Sequence, residues 1–98
     1  MIAAKKLGPS DIDEQHMRRY VCIDPKAMQL HGPAVLAIEM LSADYNARFE
    51  TLAHHRIMKE PRRYQTSHAG FLVVRHAGTP GAYETWVARH VFVRQYRA

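Results

Sequence analysis

The sequence has little cysteine and no long apolar run, and both absences exclude classes of protein. Cys22 is the single cysteine among 98 residues, so an intramolecular disulfide and a disulfide-stabilised secreted domain are excluded. The first ten residues carry no apolar run of signal-peptide length. The longest uncharged apolar stretch, residues 34–38, is too short to span a bilayer. We therefore expect a cytoplasmic protein that does not enter a membrane.

The motifs of common enzymes are also absent. There is no GxxxxGK[ST] and no GxGxxG, so the usual nucleotide-binding loops are missing. The seven histidines have no HExxH or CxxC framework around them, and the adjacent His54 and His55 diverge by about 100° on a helix. Cys22 lies between Val21 and Ile23, where a cysteine is usually a small buried hydrophobic residue. These absences predict a protein that is not an enzyme and that uses no metal or other cofactor.

Length and composition predict one ordinary globular domain over residues 1–98. Hydrophobic residues make up 47% of the chain and charged residues 23%, which is close to average globular usage and excludes a disordered chain. At this length, folding removes roughly 65% of the surface of the unfolded chain, which is enough for one modest core.

Positive charge is concentrated in the second half of the chain. Residues 1–46 hold five basic and six acidic side chains, whereas residues 47–98 hold nine basic and three acidic ones, so the net charge of +5 belongs to the second half. This asymmetry is typical of proteins that bind a polyanion such as nucleic acid, because Lys and Arg near phosphates release counterions. A solvated basic surface without a partner is the alternative interpretation.

Capping residues and apolar spacing predict helices in the first part of the chain. Acidic residues near the start favour a helix over about residues 11–20, although the β-branched and aromatic residues 20–23 also suit a short strand. Apolar residues at spacings of three and four predict a helix over residues 33–56. A turn at residues 42–44 would divide that segment into two helices, and the sequence leaves both interpretations open.

The remainder of the chain predicts a β-hairpin. Residues 71–75 and 83–93 are rich in β-branched and aromatic side chains, and residues 78–81 between them have turn chemistry. The longer second arm needs a further partner strand, either residues 20–23 or residues 64–66. We therefore predict an α+β fold in which N-terminal helices pack on a small C-terminal antiparallel hairpin or sheet. Apolar side chains on both faces of the hairpin also favour a homodimer, in which a second copy covers one face.

With a turn at residues 42–44, the element order resembles the winged helix-turn-helix family of DNA-binding domains. The resemblance covers residues 33–94, with residues 36–41 and 45–52 as the two helices of the motif and residues 71–93 as strand, wing and strand. In that family the second helix enters the major groove and the wing contacts the DNA backbone. The resemblance implies contacts to bases or phosphates from Asn46, Arg48, Thr51, His55, Arg75, Arg89 and Arg94.

A shorter segment is similar to a different class of protein. The sequences DID at residues 11–13 and YVCIDP at residues 20–25 resemble the opening of phage-encoded anti-CRISPR proteins. That resemblance implies an inhibitor that docks on a nucleic-acid-binding protein or ribonucleoprotein complex. Its interface would include Arg62, Arg63 and Tyr64, because Arg and Tyr are enriched at binding hot spots. We therefore predict a small basic binding protein, with DNA as the first candidate partner and a protein complex as the second.

Overall fold

A computed structural model describes residues 7–98, which form a five-stranded antiparallel sheet. Across the sheet the strand order is β4-β3-β2-β1-β5, so β2 is the central strand and β4 and β5 form the edges. The strands are β1 (Arg18–Cys22), β2 (Ala34–Glu39), β3 (Gly70–Arg75), β4 (Tyr83–Ala88) and β5 (Tyr96–Arg97). Residues 1–6, on which part of the expectation about a targeting segment rests, lie outside the described residues.

Short helices connect these strands. The carboxylate of Asp24 accepts a hydrogen bond from the backbone N–H of Ala27 at 2.8 Å, which caps the first α-helix, and that helix ends at Gly32 with a φ of +85°. None of the helices in the described residues is long and apolar enough to cross a bilayer. The α-helices are α1 (Pro25–His31), α2 (Ser42–Leu52) and α3 (Arg89–Gln95), and 3-10 turns lie at Pro9–Asp11 and Glu14–His16.

Both faces of the sheet are covered by the chain itself. On one face, Ala27 of α1 and Phe92 of α3 belong to the cluster that contains Val73 of β3. On the other face, Tyr45 of α2 packs in the cluster that contains Leu72 of β3. Every residue of β3 is buried, which explains why its sequence is a continuous apolar run. The homodimer stays a prediction, but the apolar faces that suggested it are covered within one chain.

The predicted fold class is wrong, because the helices do not form an N-terminal layer on a small hairpin. The helix expected over residues 11–20 is replaced by two 3-10 turns and β1, and the first part of the helix expected over residues 33–56 is β2. Residues 34–38 are apolar at every position, a pattern that suits a helix as well as a strand buried on both faces. Pairing with β1 and β3 decided between the two, since burial in a sheet outweighs helix propensity.

The predicted hairpin is confirmed, with a shorter second arm than expected. β3 and β4 pair antiparallel from Gly70 opposite Ala88 to Arg75 opposite Tyr83. The chain then enters α3 and rejoins the sheet as β5, which pairs with β1, one of the two partners expected for this arm. Residues 36–52 form a strand, a short loop and a helix, so the helix-turn-helix geometry that the winged-helix resemblance implies is not formed there.

Candidate functional site

A cleft of about 360 Å³ lies along the outer edge of β4. The chain reaches this edge through a bridge between Met58 and Glu84, and the N–H of Lys59 donates to the carbonyl of Glu84 at 2.7 Å. Residues 59–64 then form one part of the cleft lining, and residues of β4, α2 and α3 form the others. We call this site the basic cleft and define it by six lining residues, His31, Lys59, Arg62, Tyr64, Arg75 and Trp86.

The lining of the basic cleft carries more positive than negative charge. Lys59, Arg62 and Arg75 supply three cations, and His31 adds a side chain that can be protonated. Glu60 is the one carboxylate among the described residues that line the cleft. The cleft is therefore suited to an anionic ligand.

The pKa of His31 reflects both burial and the basic side chains around it. Burial is the largest cause that lowers the pKa of His31 from its ordinary value, and the charges of Arg75, His76 and Lys59 lower it further. Arg75 and Lys59, which disfavour the protonated imidazole of His31, also line the cleft and favour a bound anion there.

Arg75 is buried without a carboxylate partner. The residue is 7% exposed, and its Nη1 donates to the hydroxyl of Tyr96 at 2.9 Å. Within residues 7–98, no Asp or Glu lies at ion-pair distance from its guanidinium. A buried charge without a counterion is unfavourable, and the cleft that Arg75 lines provides room for one.

Arg48 is also buried, but its guanidinium is fully engaged inside the protein. Nε and Nη2 donate to the two carboxylate oxygens of Glu84 at 2.7 and 3.0 Å, and Nη1 donates to the carbonyls of Pro9 and Ile12 at 2.8 and 2.7 Å. Arg56 donates a further bond to Glu84 at 3.1 Å. The prediction that Arg48 contacts bases is therefore wrong, because this side chain is 0% exposed and instead joins α2 to β4 and to the N-terminal segment.

An aromatic cluster borders the basic cleft. The ring of Tyr64 lies 5.8 Å from the ring of Trp86 and 4.5 Å from that of His68, measured between centroids. The indole N–H of Trp86 donates to the carbonyl of Met40 at 2.7 Å, and a Cβ at Gly70 would collide with the indole ring, so the position of Trp86 is well determined. Tyr64 is 39% exposed, which leaves part of its ring available to a ligand.

A second cavity, of about 470 Å³, continues past this aromatic cluster. It shares Tyr64 and Trp86 with the basic cleft and is also lined by His68, Arg89 and His90. Because the two cavities share these rings, they are adjacent, and the aromatic cluster has basic side chains on both sides.

The ten residues predicted as partner contacts do not form one surface. Four of them line the basic cleft, namely Asn46, Arg62, Tyr64 and Arg75. Within residues 7–98, the Oδ1 of Asn46 is buried and has no hydrogen-bond partner. Arg89 lines the second cavity, where it also donates to Glu39 at 3.0 Å. The other exposed candidates line neither cavity, and these are Thr51, His55, Arg63 and Arg94.

Three lining residues of the basic cleft were missed by sequence reasoning. His31, Lys59 and Trp86 come from three distant parts of the chain, and Trp86 was expected only in the core. One local signal was available for Lys59, since residues 59–64 carry three cationic side chains and a tyrosine. No comparable signal marks His31, because its proximity to Arg75 and Lys59 arises only in the folded chain.

Comparison with known proteins does not identify this site. The chain matches no protein-family model, no curated protein and no solved structure. Among residues 7–98, no three His, Cys, Asp or Glu side chains are grouped so that they could hold a metal ion. Cys22 is buried, and its Sγ lies 3.3 Å from the carbonyl of Asp24. The chemistry of the basic cleft is therefore the feature that indicates a function.

Proposed function

We propose that this protein binds single-stranded nucleic acid in the basic cleft, without catalysis, in the cytoplasm, where the thiol of Cys22 stays reduced. The observation that carries the proposal is Arg75, a buried guanidinium that lines the cleft and has no carboxylate partner within residues 7–98. A phosphate would supply the missing anion, and a base would stack on Tyr64 or Trp86. Positive charge beside aromatic rings is the combination by which proteins bind single strands.

The dimensions of the cleft favour a single strand over a duplex. A volume of about 360 Å³ lies near the lower end of small-ligand sites, which start at about 300 Å³. A duplex is read by a helix or a ribbon that enters the major groove, whereas α2 directs Tyr45 and Arg48 into the protein interior. A single strand presents phosphate and base to one concave site, because its bases are not paired.

Fluorescence anisotropy with a labelled single-stranded oligonucleotide and its duplex tests this proposal. We expect the single strand to bind more tightly and its affinity to fall steeply between about 50 and 200 mM salt, because counterions are released on binding. Arg62→Ala should weaken binding, while Arg19→Ala, the same change of charge at an exposed position of β1, should retain it. Equal loss in both variants, or no binding at low salt, would contradict the proposal.

Docking on a protein or ribonucleoprotein complex is the second candidate function. It is favoured by the exposure of apolar surface beside the arginines, since Ile57 is 68% and Tyr64 39% exposed. This function predicts that Tyr64→Ala or Arg63→Ala weakens capture of one specific partner by about 30-fold or more, the loss expected at a hot spot of about 2 kcal/mol, with little dependence on salt. Retention of every captured partner by both variants would exclude it.

A further inference from the structure

Phosphate-binding and base-stacking side chains lie on opposite faces of the sheet. Arg75 of β3 pairs with Tyr83 at the start of β4, and Trp86 lies three residues further along β4, so the Arg75 and Trp86 side chains point to opposite faces. Both residues line the basic cleft, which therefore passes around the edge strand β4. A single strand of nucleic acid that contacts both of them follows the cleft around this edge.

We infer that Arg75, His31 and Lys59 form a subsite for a phosphate monoester, and that the terminal phosphate of a single strand occupies it. This inference rests on the proposed function and identifies the part of the nucleic acid that enters deepest. Arg75 is more than nine-tenths buried, so only a group at the end of a molecule reaches it easily. A phosphate inside a strand continues into a nucleotide on each side, and both neighbours would have to enter the cleft with it.

The charge of the subsite also favours a terminal phosphate. A phosphate monoester carries roughly −1.5 to −2 charges at pH 7, because its second pKa lies near 6, whereas each phosphate inside a strand carries a single charge. Arg75 and Lys59 supply two cations, and protonation of His31 would supply a third. A dianion matches this set better than a monoanion, and a guanidinium binds phosphate through paired hydrogen bonds.

His31 provides an internal reporter of this subsite. Three side chains influence the pKa of His31, namely Arg75 of β3, His76 of the following turn, and Lys59. Glu60 and Arg62 are further charged side chains that line the same cleft. Burial is the largest cause that lowers the pKa of His31, and Arg75, His76 and Lys59 lower it further. A bound dianion offsets those cations, so we expect phosphate to raise the pKa of His31.

Three oligonucleotides of one sequence test the inference by anisotropy, one with a 5′-phosphate, one with a 3′-phosphate and one with hydroxyl groups at both ends. We expect a terminal phosphate at one of the two ends to tighten binding by about tenfold, the effect of one charge-assisted contact. The end that gains affinity defines the direction in which the strand lies. Arg75→Met should abolish the gain, and Arg19→Met, the same substitution on exposed β1, should retain it. Equal affinities of the unaltered protein for all three oligonucleotides would overturn the inference.

A second measurement keeps the test independent of whether Arg75→Met folds. The imidazole resonances of His31, assigned with His31→Gln, are followed by NMR through pH with and without inorganic phosphate. A rise in the pKa of His31 supports the subsite, and an unchanged pKa overturns it. If phosphate raises this pKa but no oligonucleotide binds, the subsite stands and the proposed function fails. If all oligonucleotides bind alike and His31 does not respond, the proposed function stands and the subsite fails.

Discussion

Arg48 and Arg75 are both more than nine-tenths buried, but their surroundings differ. Arg48 donates to both carboxylate oxygens of Glu84 and to two backbone carbonyls. Arg75 has one neutral partner, the hydroxyl of Tyr96, and no carboxylate at ion-pair distance in the described part of the chain. The first arginine is satisfied by the fold, whereas the second lines a cleft that is open to a ligand.

This difference distinguishes Arg48, whose charge stabilises the fold, from Arg75, whose charge is available to a ligand. Removing one member of a buried, hydrogen-bonded pair leaves the other charge unpaired, which is strongly destabilising. Removing a buried charge that has no counterion relieves a desolvation cost instead. Stability measurements can therefore distinguish Arg48 from Arg75 without any knowledge of the ligand.

The largest effect is expected for Arg48→Met. This variant leaves the buried carboxylate of Glu84 with the partly exposed Arg56 as its remaining cation, so we expect a loss of about 3–5 kcal/mol in the free energy of unfolding. Urea denaturation measures it. The double variant Arg48→Met, Glu84→Leu should recover most of the loss, because both charges are then removed. A single variant that loses less than about 1 kcal/mol would show that the pair is not structural.

A smaller loss is expected for Tyr45→Phe, which removes a hydrogen bond between α2 and the cleft. The Tyr45 hydroxyl donates to the carbonyl of Lys59, and burial, with the nearby charge of Glu84, raises its pKa so that it stays protonated. We expect a loss of about 1–2 kcal/mol in urea denaturation, since a buried carbonyl loses its partner. Weaker oligonucleotide binding should accompany it, because Lys59 lines the basic cleft. Unchanged stability would indicate that water replaces this bond.

The pH dependence of stability tests the lowered pKa of His31, which is caused first by burial and then by Arg75, His76 and Lys59. The folded-state pKa of His31 is lowered, so between that pKa and the unfolded value near 6.5 the unfolded chain binds more protons. The free energy of unfolding should therefore fall as pH falls through this window, by less than the one-proton limit of about 1.4 kcal/mol per pH unit. Urea denaturation at several pH values measures the slope, which His31→Gln should reduce. A slope that is the same in both proteins would rule out a contribution from His31.

The smallest change in stability is expected for Arg75→Met, within about 1 kcal/mol of the unaltered protein. The variant loses a bond to the Tyr96 hydroxyl but no longer buries a charge without a counterion. Its oligonucleotide affinity, in contrast, should fall. If Arg75→Met destabilises the protein as much as Arg48→Met does, the distinction between the two arginines is incorrect and Arg75 is structural.

Part of this architecture follows from local sequence. The hairpin of β3 and β4 was predicted because β-branched and aromatic runs flank a turn, and Gly78 in that turn adopts a φ of +80°. The sequence of β2 was predicted as helix, whereas for residues 20–23 a short strand was left open beside the end of a helix, and β1 forms there. In β2 the apolar residues are continuous, and no spacing rule separates a buried strand from a helix segment in such a run.

The candidate site was predicted only in fragments. Residues 62–64 were recognised from their composition, because arginine and tyrosine together indicate a binding surface wherever the chain exposes them. His31 was not recognised, since its importance depends on the proximity of Arg75 and Lys59. Proximity of that kind arises from the sheet, which brings the end of α1 near the end of β3.

By itself, the sequence determined the excess of basic residues, the single thiol, the hairpin and the cationic segment beside Tyr64, because each depends on composition or on neighbouring residues. Only the tertiary structure decided which of the basic side chains are paired within the protein and which remain available to a ligand. Arg48 and Glu84 are 36 residues apart, and their pairing exists because α2 packs against β4. Whether an arginine is neutralised depends on which element faces it, and that information lies in long-range packing rather than in local sequence.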